Sequence, residues 1–135
     1  MRLFGIDYGD KKIGTAFGDS TAGVAVPLDV IRNEGAATAQ RLAKQIKVDS
    51  IELVVLGAPL SAHSTDQLEK TRAFAAALTA ALEAVGHAVP VVEEDESYTT
   101  SESRRLIAEE GAGAEEDALA AMLVVQQYIN RQTGA

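Results

Sequence analysis

Apolar residues alternate with small and polar ones over residues 2–8 (RLFGIDY) and 12–18 (KIGTAFG), and the intervening Gly9 and Asp10 are turn formers, so a β-hairpin is predicted. PLDVIR, residues 27–32, follows a loop of small residues and extends the hairpin to a three-stranded meander. The period then changes. From Glu34 to Lys47, Ala39, Leu42, Ala43 and Ile46 recur at intervals of three and four, which predicts an amphipathic helix. IELVVLG, residues 51–57, is almost continuously apolar, as a strand covered on both faces should be. APLSAHSTD follows as a loop, and residues 66–86 form an alanine-rich helix with Leu68, Phe74, Leu78 and Leu82 along its buried side and Gly86 as its stop. AVPVVEED, residues 88–95, is the last strand. Two helices close the pattern, Thr100–Glu110 and Glu115–Arg131, broken by the glycines of GAGA. The order βββαβαβαα predicts an α/β domain over residues 1–135, with a mixed sheet and helices on both faces.

Composition narrows the chemistry. Without cysteine there is no disulfide framework, thiolate metal site or cysteine nucleophile, so any metal must be held by oxygen or imidazole. No apolar run is long enough to span a bilayer and no signal peptide is visible, which predicts a soluble, cytoplasmic protein with no membrane partner. The formal charge of -8 opposes a nucleic-acid partner at first sight. Its distribution changes that picture, because half of the acidic side chains lie between residues 93 and 117, against only Arg104 and Arg105. Such a cluster is either a metal site or a solvated surface.

Three acids stand in distinctive settings: Asp7 on an apolar strand, Glu96 just after the last strand, and Asp117 at the start of the last helix. Asp117 shares a helical face with Ala121, Val124 and Tyr128, which directs it toward the sheet. Taken singly, each has an ordinary structural reading. Asp7 would cap the turn by accepting from the amides of Gly9 or Asp10, Asp117 would favour the helix dipole, and Glu96 would face solvent within an acidic run. If they converge, their repulsion calls for a shared proton or a divalent cation, and oxygen-only ligation suits Mg²⁺ or Mn²⁺.

Four segments, GIDYGDKKIGTAFGD, VVLGAP, DESYTT and EEDALAAMLVVQQYI, resemble in order and spacing the motifs of the YqgF (RuvX) family of ribonuclease H-like nucleases, which are related to the Holliday junction resolvase RuvC. The resemblance spans nearly the whole chain. It implies a ribonuclease H-like fold with a five-stranded mixed sheet, and a metal-dependent nuclease acting on the 5′ end of pre-16S rRNA or on branched DNA. By the same resemblance Asp7, Glu96 and Asp117 are the catalytic and metal-binding set, for Mg²⁺ or Mn²⁺. Lys11 and Lys12 in the first hairpin, with Arg104 and Arg105, are the candidate substrate-binding cations. The chain departs from the family at Ser97, where an arginine is usual, and in the loop LSAHSTD, which has no glycine and carries His63.

Two other readings compete. A non-catalytic nucleic-acid or protein binding module with a relic acidic site would account for Ser97. The first motif also resembles the phosphate-binding hairpin of the actin and sugar-kinase superfamily, but 135 residues supply one such domain and no second to close a nucleotide cleft. The alanine-rich stretch at residues 73–84 leaves both a monomer and a homodimer open.

Overall fold

The structure, a computed structural model, describes residues 1–60, 65–96 and 116–132. Strands β1 (Arg2–Asp7) and β2 (Lys12–Asp19) form the expected hairpin, pairing from Arg2↔Asp19 to Asp7↔Gly14. β3 (Val24–Arg32) lies antiparallel to β2 and begins three residues earlier than predicted, with Pro27 inside it. Pro27 is tolerated because β3 is an edge strand and the ladder is already irregular there. Gly14 pairs with Val30 and Ala16 with Pro27, so Thr15 opposes two residues in a bulge. The Thr15 hydroxyl accepts from the Asp29 amide at 3.0 Å and donates to the Asp29 carbonyl at 2.7 Å, restoring what the ladder loses.

Helix α1 (Ala36–Val48) starts after Gly35, whose φ of 68° is one that side chains rarely adopt. Strand β4 (Leu53–Ala58) runs parallel to β1, helix α2 (Asp66–Ala84) follows, and β5 (Val91–Asp95) runs parallel to β4. Gly86 follows α2 at φ 74°, as a C-terminal stop should. The sheet order is β3-β2-β1-β4-β5, a five-stranded mixed sheet. Phe4, Ile6, Leu42, Ile46, Leu56, Leu78 and Leu82 fill the core between one sheet face and α1 and α2. On α2 the buried row begins at Thr71 rather than Leu68, which is half-exposed. The Thr71 hydroxyl bonds back to the Gln67 carbonyl at 2.8 Å, which lets a polar residue occupy the buried position.

Helix α3 (Glu116–Gln132) covers the opposite face, packing Ala121, Val124, Val125 and Ile129 on Leu3, Ala16 and Val55. It lies unusually close to the sheet, because the strand positions beneath it are small. A Cβ on Gly5 would stand 2.2 Å from Val125 Cγ2, and one on Gly18 would stand 2.4 Å from Val125 Cγ1. Among the described residues no helix is long and apolar enough to cross a membrane. The helix predicted at Thr100–Glu110, with Arg104 and Arg105, lies outside the described residues, as do His63, Ser97 and Glu115.

A candidate carboxylate site at the strand ends

Strands β1, β4 and β5 run parallel, so their C-terminal ends share one edge of the sheet. Registers Gly14↔Asp7, Asp7↔Gly57 and Gly57↔Glu94 form one row across four strands. Side chains alternate along a strand. Leu3 and Gly5 face α3, so Asp7 does as well. On β5, Val92 and Glu94 contact α3 residues, and Glu96 continues that alternation.

Asp7 is therefore flanked in its row by two glycines, Gly14, where no side chain fits, and Gly57, where one would be tight. A Cβ on Gly57 would lie 3.0 Å from Glu96 Oε2, in the space the Glu96 carboxylate uses to reach Asp7. A Cβ on Gly14 would stand 1.9 Å from the backbone oxygen of Asp117, where the first turn of α3 descends onto the sheet. The first strand pair and the last helix thus meet at a point only glycine permits.

Asp7 is hydrogen-bonded to Glu96 and lies within range of the charge of Asp117. The Asp7 carboxyl is raised from its ordinary 3.8 to about 9, first by burial, then by its hydrogen bond to Glu96, and then by the negative charges of Glu96 and Asp117. Asp7 thus keeps its proton at neutral pH and donates it to Glu96. The hydrogen bond goes to Glu96 rather than to the turn amides of Gly9 and Asp10, which sets aside the turn-cap reading. Asp117 acts on Asp7 through its charge alone. Among the described residues no group of three acidic or imidazole side chains is arranged to hold a metal ion as it stands. The donor chemistry nevertheless fits a hard divalent cation, because these are oxygen ligands whose mutual repulsion a cation would relieve.

The acidic run at 93–96 is not a solvated surface. Glu93 faces α2 and takes a two-pronged ion pair from Arg72, at 2.7 and 2.9 Å. That contact holds the Glu93 carboxyl below its usual range. Glu94 points the other way and is fully buried against α3, where it accepts from Gln127 Nε2 and, at 2.5 Å, from Arg131. Burial raises the Glu94 carboxyl against the opposing pull of Arg131. Period-two alternation back from Glu96 puts Glu94 on the covered face, and that signal was present in the sequence. Lys11 and Lys12 sit exposed at the β1–β2 turn, and among the described residues neither is in an ion pair.

Carboxylates gathered at the ends of adjacent parallel strands, beneath a helix on one face of a five-stranded mixed sheet, define a ribonuclease H-like α/β domain. The chain superposes on T. thermophilus RuvC in complex with a Holliday junction substrate with a TM-score of 0.64, at 16% identity, over 99% of this chain and 96% of that one. It also superposes on a Fowlpox virus resolvase solved with Holliday junction DNA, with a TM-score of 0.60, at 12% identity, over 98% and 99%. Residues 1–131 match the family described as RuvX: Holliday junction resolvase, and the chain belongs to that family. Relatives named "Putative pre-16S rRNA nuclease" include proteins of Syntrophus aciditrophicus (34% identical, covering 96% of this chain and 89% of the relative) and Desulforudis audaxviator (34% identical, 99% and 98%).

Proposed function

We propose that this chain is a single-domain, divalent-metal-dependent nuclease of the cytoplasm that hydrolyses phosphodiester bonds at the 5′ end of pre-16S rRNA. The observation that carries the reading is Asp7, a buried carboxyl hydrogen-bonded to Glu96 and close to the charge of Asp117 at the edge of a ribonuclease H-like sheet, which burial first and these two acids second raise to about 9. The names of the RuvX relatives favour ribosomal RNA as substrate, and the resolvase structures make branched DNA the comparison.

In this reading Asp7, Glu96 and Asp117 hold Mg²⁺ or Mn²⁺. A divalent ion held there would supply an activated water and charge neutralisation at the scissile phosphate. The chain's own part is positional. Asp7 would release its proton to solvent and present its oxygens from the end of β1, a strand paired on both sides. Glu96 reaches across Gly57 from the end of β5, and Asp117 closes the third side from α3. Lys11 and Lys12, with Arg104 and Arg105, offset the charge of the incoming phosphates.

The test is cleavage of labelled pre-16S rRNA 5′ fragments and of four-way DNA junctions with Mg²⁺, Mn²⁺ or EDTA, beside Asp7→Asn. Metal-dependent cutting of the RNA, lost in the variant, is the expected result. Cutting of junctions alone moves the substrate to branched DNA. Wild type and variant equally inert on both would favour a binding module.

A further inference from the structure

One cluster outside the carboxylates points to a ligand. Lys12 and Arg32 are the paired residues at the open end of the β2–β3 ladder. Asn33 N–H donates to Lys11 O at 2.8 Å at the next pair outward, so Lys12↔Arg32 is a non-hydrogen-bonded pair with Cα atoms about 4.5 Å apart. Like charges directly opposed in this way destabilise a sheet. Neither cation has an acidic partner among the described residues, because the flanking acids are engaged elsewhere: Asp10 pairs with Lys70 at 3.3 Å and Glu34 with Arg41 at 3.0 Å. Among the described residues two opposed cations are thus left without an acidic partner, in a chain of charge -8.

Their setting is concave and fixed. Residues 10–12 and 30–33 line a cavity of about 610 Å³. Asn33 pins its two walls together, since its side-chain amide donates to Gly9 O at 2.8 Å in addition to the backbone bond to Lys11. Lys12 lies two residues before Gly14 on β2, so by alternation it is on the same sheet face as Asp7, at the same strand ends. Two residues of strand rise place it roughly 7 Å beyond the row that holds Asp7.

We infer that Lys12 and Arg32 together form a phosphate-binding subsite that holds one backbone phosphate of the nucleic acid next to the phosphate being cut. The inference rests on the nuclease reading and adds Arg32 to its machinery. A phosphate between the two cations would convert a repulsive cross-strand pair into a bridged one, and Arg32 offers the planar two-donor fork that phosphate oxygens match. The subsite also explains how an acidic protein could seat a polyanion, since its cations are collected where the strand must pass.

The measurement is the salt dependence of binding of a labelled single-stranded RNA to the full chain, in an Asp7→Asn background that leaves the probe intact. Lys12→Ala/Arg32→Ala is compared with Lys44→Ala, an exposed lysine on α1, as the control. Loss of one phosphate contact should flatten the slope of log K against log salt by about 0.7, with affinity at low salt down about tenfold, and Lys44→Ala should change neither. Because the two side chains share one phosphate, the double variant should flatten the slope no more than that. The melting temperature of the double variant should not fall, since removing the opposed cations relieves repulsion. A double variant that keeps the parental slope while the parent binds overturns the subsite and leaves the nuclease reading standing. A parent that neither binds RNA nor, with Asp7 restored, cuts it overturns both.

Discussion

Replacing Asp7 with asparagine should stabilise the metal-free protein, and increasingly so as the pH rises. The folded carboxyl titrates near 9 and the same group in an unfolded chain near 3.8. Between those values the folded state holds a proton that the unfolded state has released. Stability therefore falls with rising pH from about pH 4 to about pH 9 and levels off above that. At pH 7 the interval is about three pH units, or roughly 4 kcal/mol at 1.36 kcal/mol per unit, as a ceiling. Substitution in a coupled carboxyl pair recovers only part of that ceiling, on the order of 2 kcal/mol. The substituted amide keeps a donor for Glu96 and cannot ionise. For a chain of this length 2 kcal/mol corresponds to a rise of about 8 °C in Tm. Thermal unfolding followed by circular dichroism in EDTA at pH 5, 7 and 9 would measure the gap between wild type and Asp7→Asn, which should widen with pH. A variant less stable than wild type, or a gap independent of pH, would refute the account of a buried, proton-sharing carboxyl pair.

Further outcomes follow from the same geometry. Mg²⁺ or Mn²⁺ binding, read by calorimetry in two buffers of different ionisation heat, should tighten between pH 6 and pH 9 and release a proton, because Asp7 must ionise first. Gly14→Ala should lose at least about 1 to 3 kcal/mol in urea unfolding, since its Cβ meets the Asp117 backbone at 1.9 Å and no side chain can yield. Gly5→Ala meets the stiff Val125 side chain at 2.2 Å and the Ala121 backbone oxygen at 3.0 Å, so adding Val125→Ala should recover part of its loss, whereas no such second change should rescue Gly14→Ala. Arg131→Met should cost about 3 kcal/mol, because it strands the fully buried Glu94 with only Gln127 as a donor, and Glu94→Gln in the same chain should return most of it.

Most of the fold was legible because it rests on local periodicity. Alternation marked β1 and β2, the continuous apolar run marked β4, the three-and-four spacing marked α1, and Gly86 marked the end of α2. The early start of β3 was not legible, because a proline is compatible with a strand only at an edge, and edge position is set by the sheet order. Leu68 against Thr71 was likewise undecided by periodicity, since both fit the helical face and the sheet beneath selects the buried row. The candidate acids Asp7, Glu96 and Asp117 could be named from the chain alone, being the carboxylates whose neighbours are apolar strand ends or a helix start.

What tertiary structure alone decided is how close those acids come and what they do to one another. Gly14 and Gly57 read in the sequence as ordinary small residues. Only the registers that place them on either side of Asp7 show that they open the space into which Asp117 and Glu96 descend. Glu94 looked like one more member of an acidic run until the covering of its face by α3 made it a buried ion-pair partner. Lys12 and Arg32 lie twenty residues apart; the meander predicted for residues 2–32 brings their strand ends near each other, but only the register makes them directly opposed. Sequence pattern governs which face of an element is apolar. Burial, register and charge proximity arise between elements, and in this protein they set the proton on Asp7.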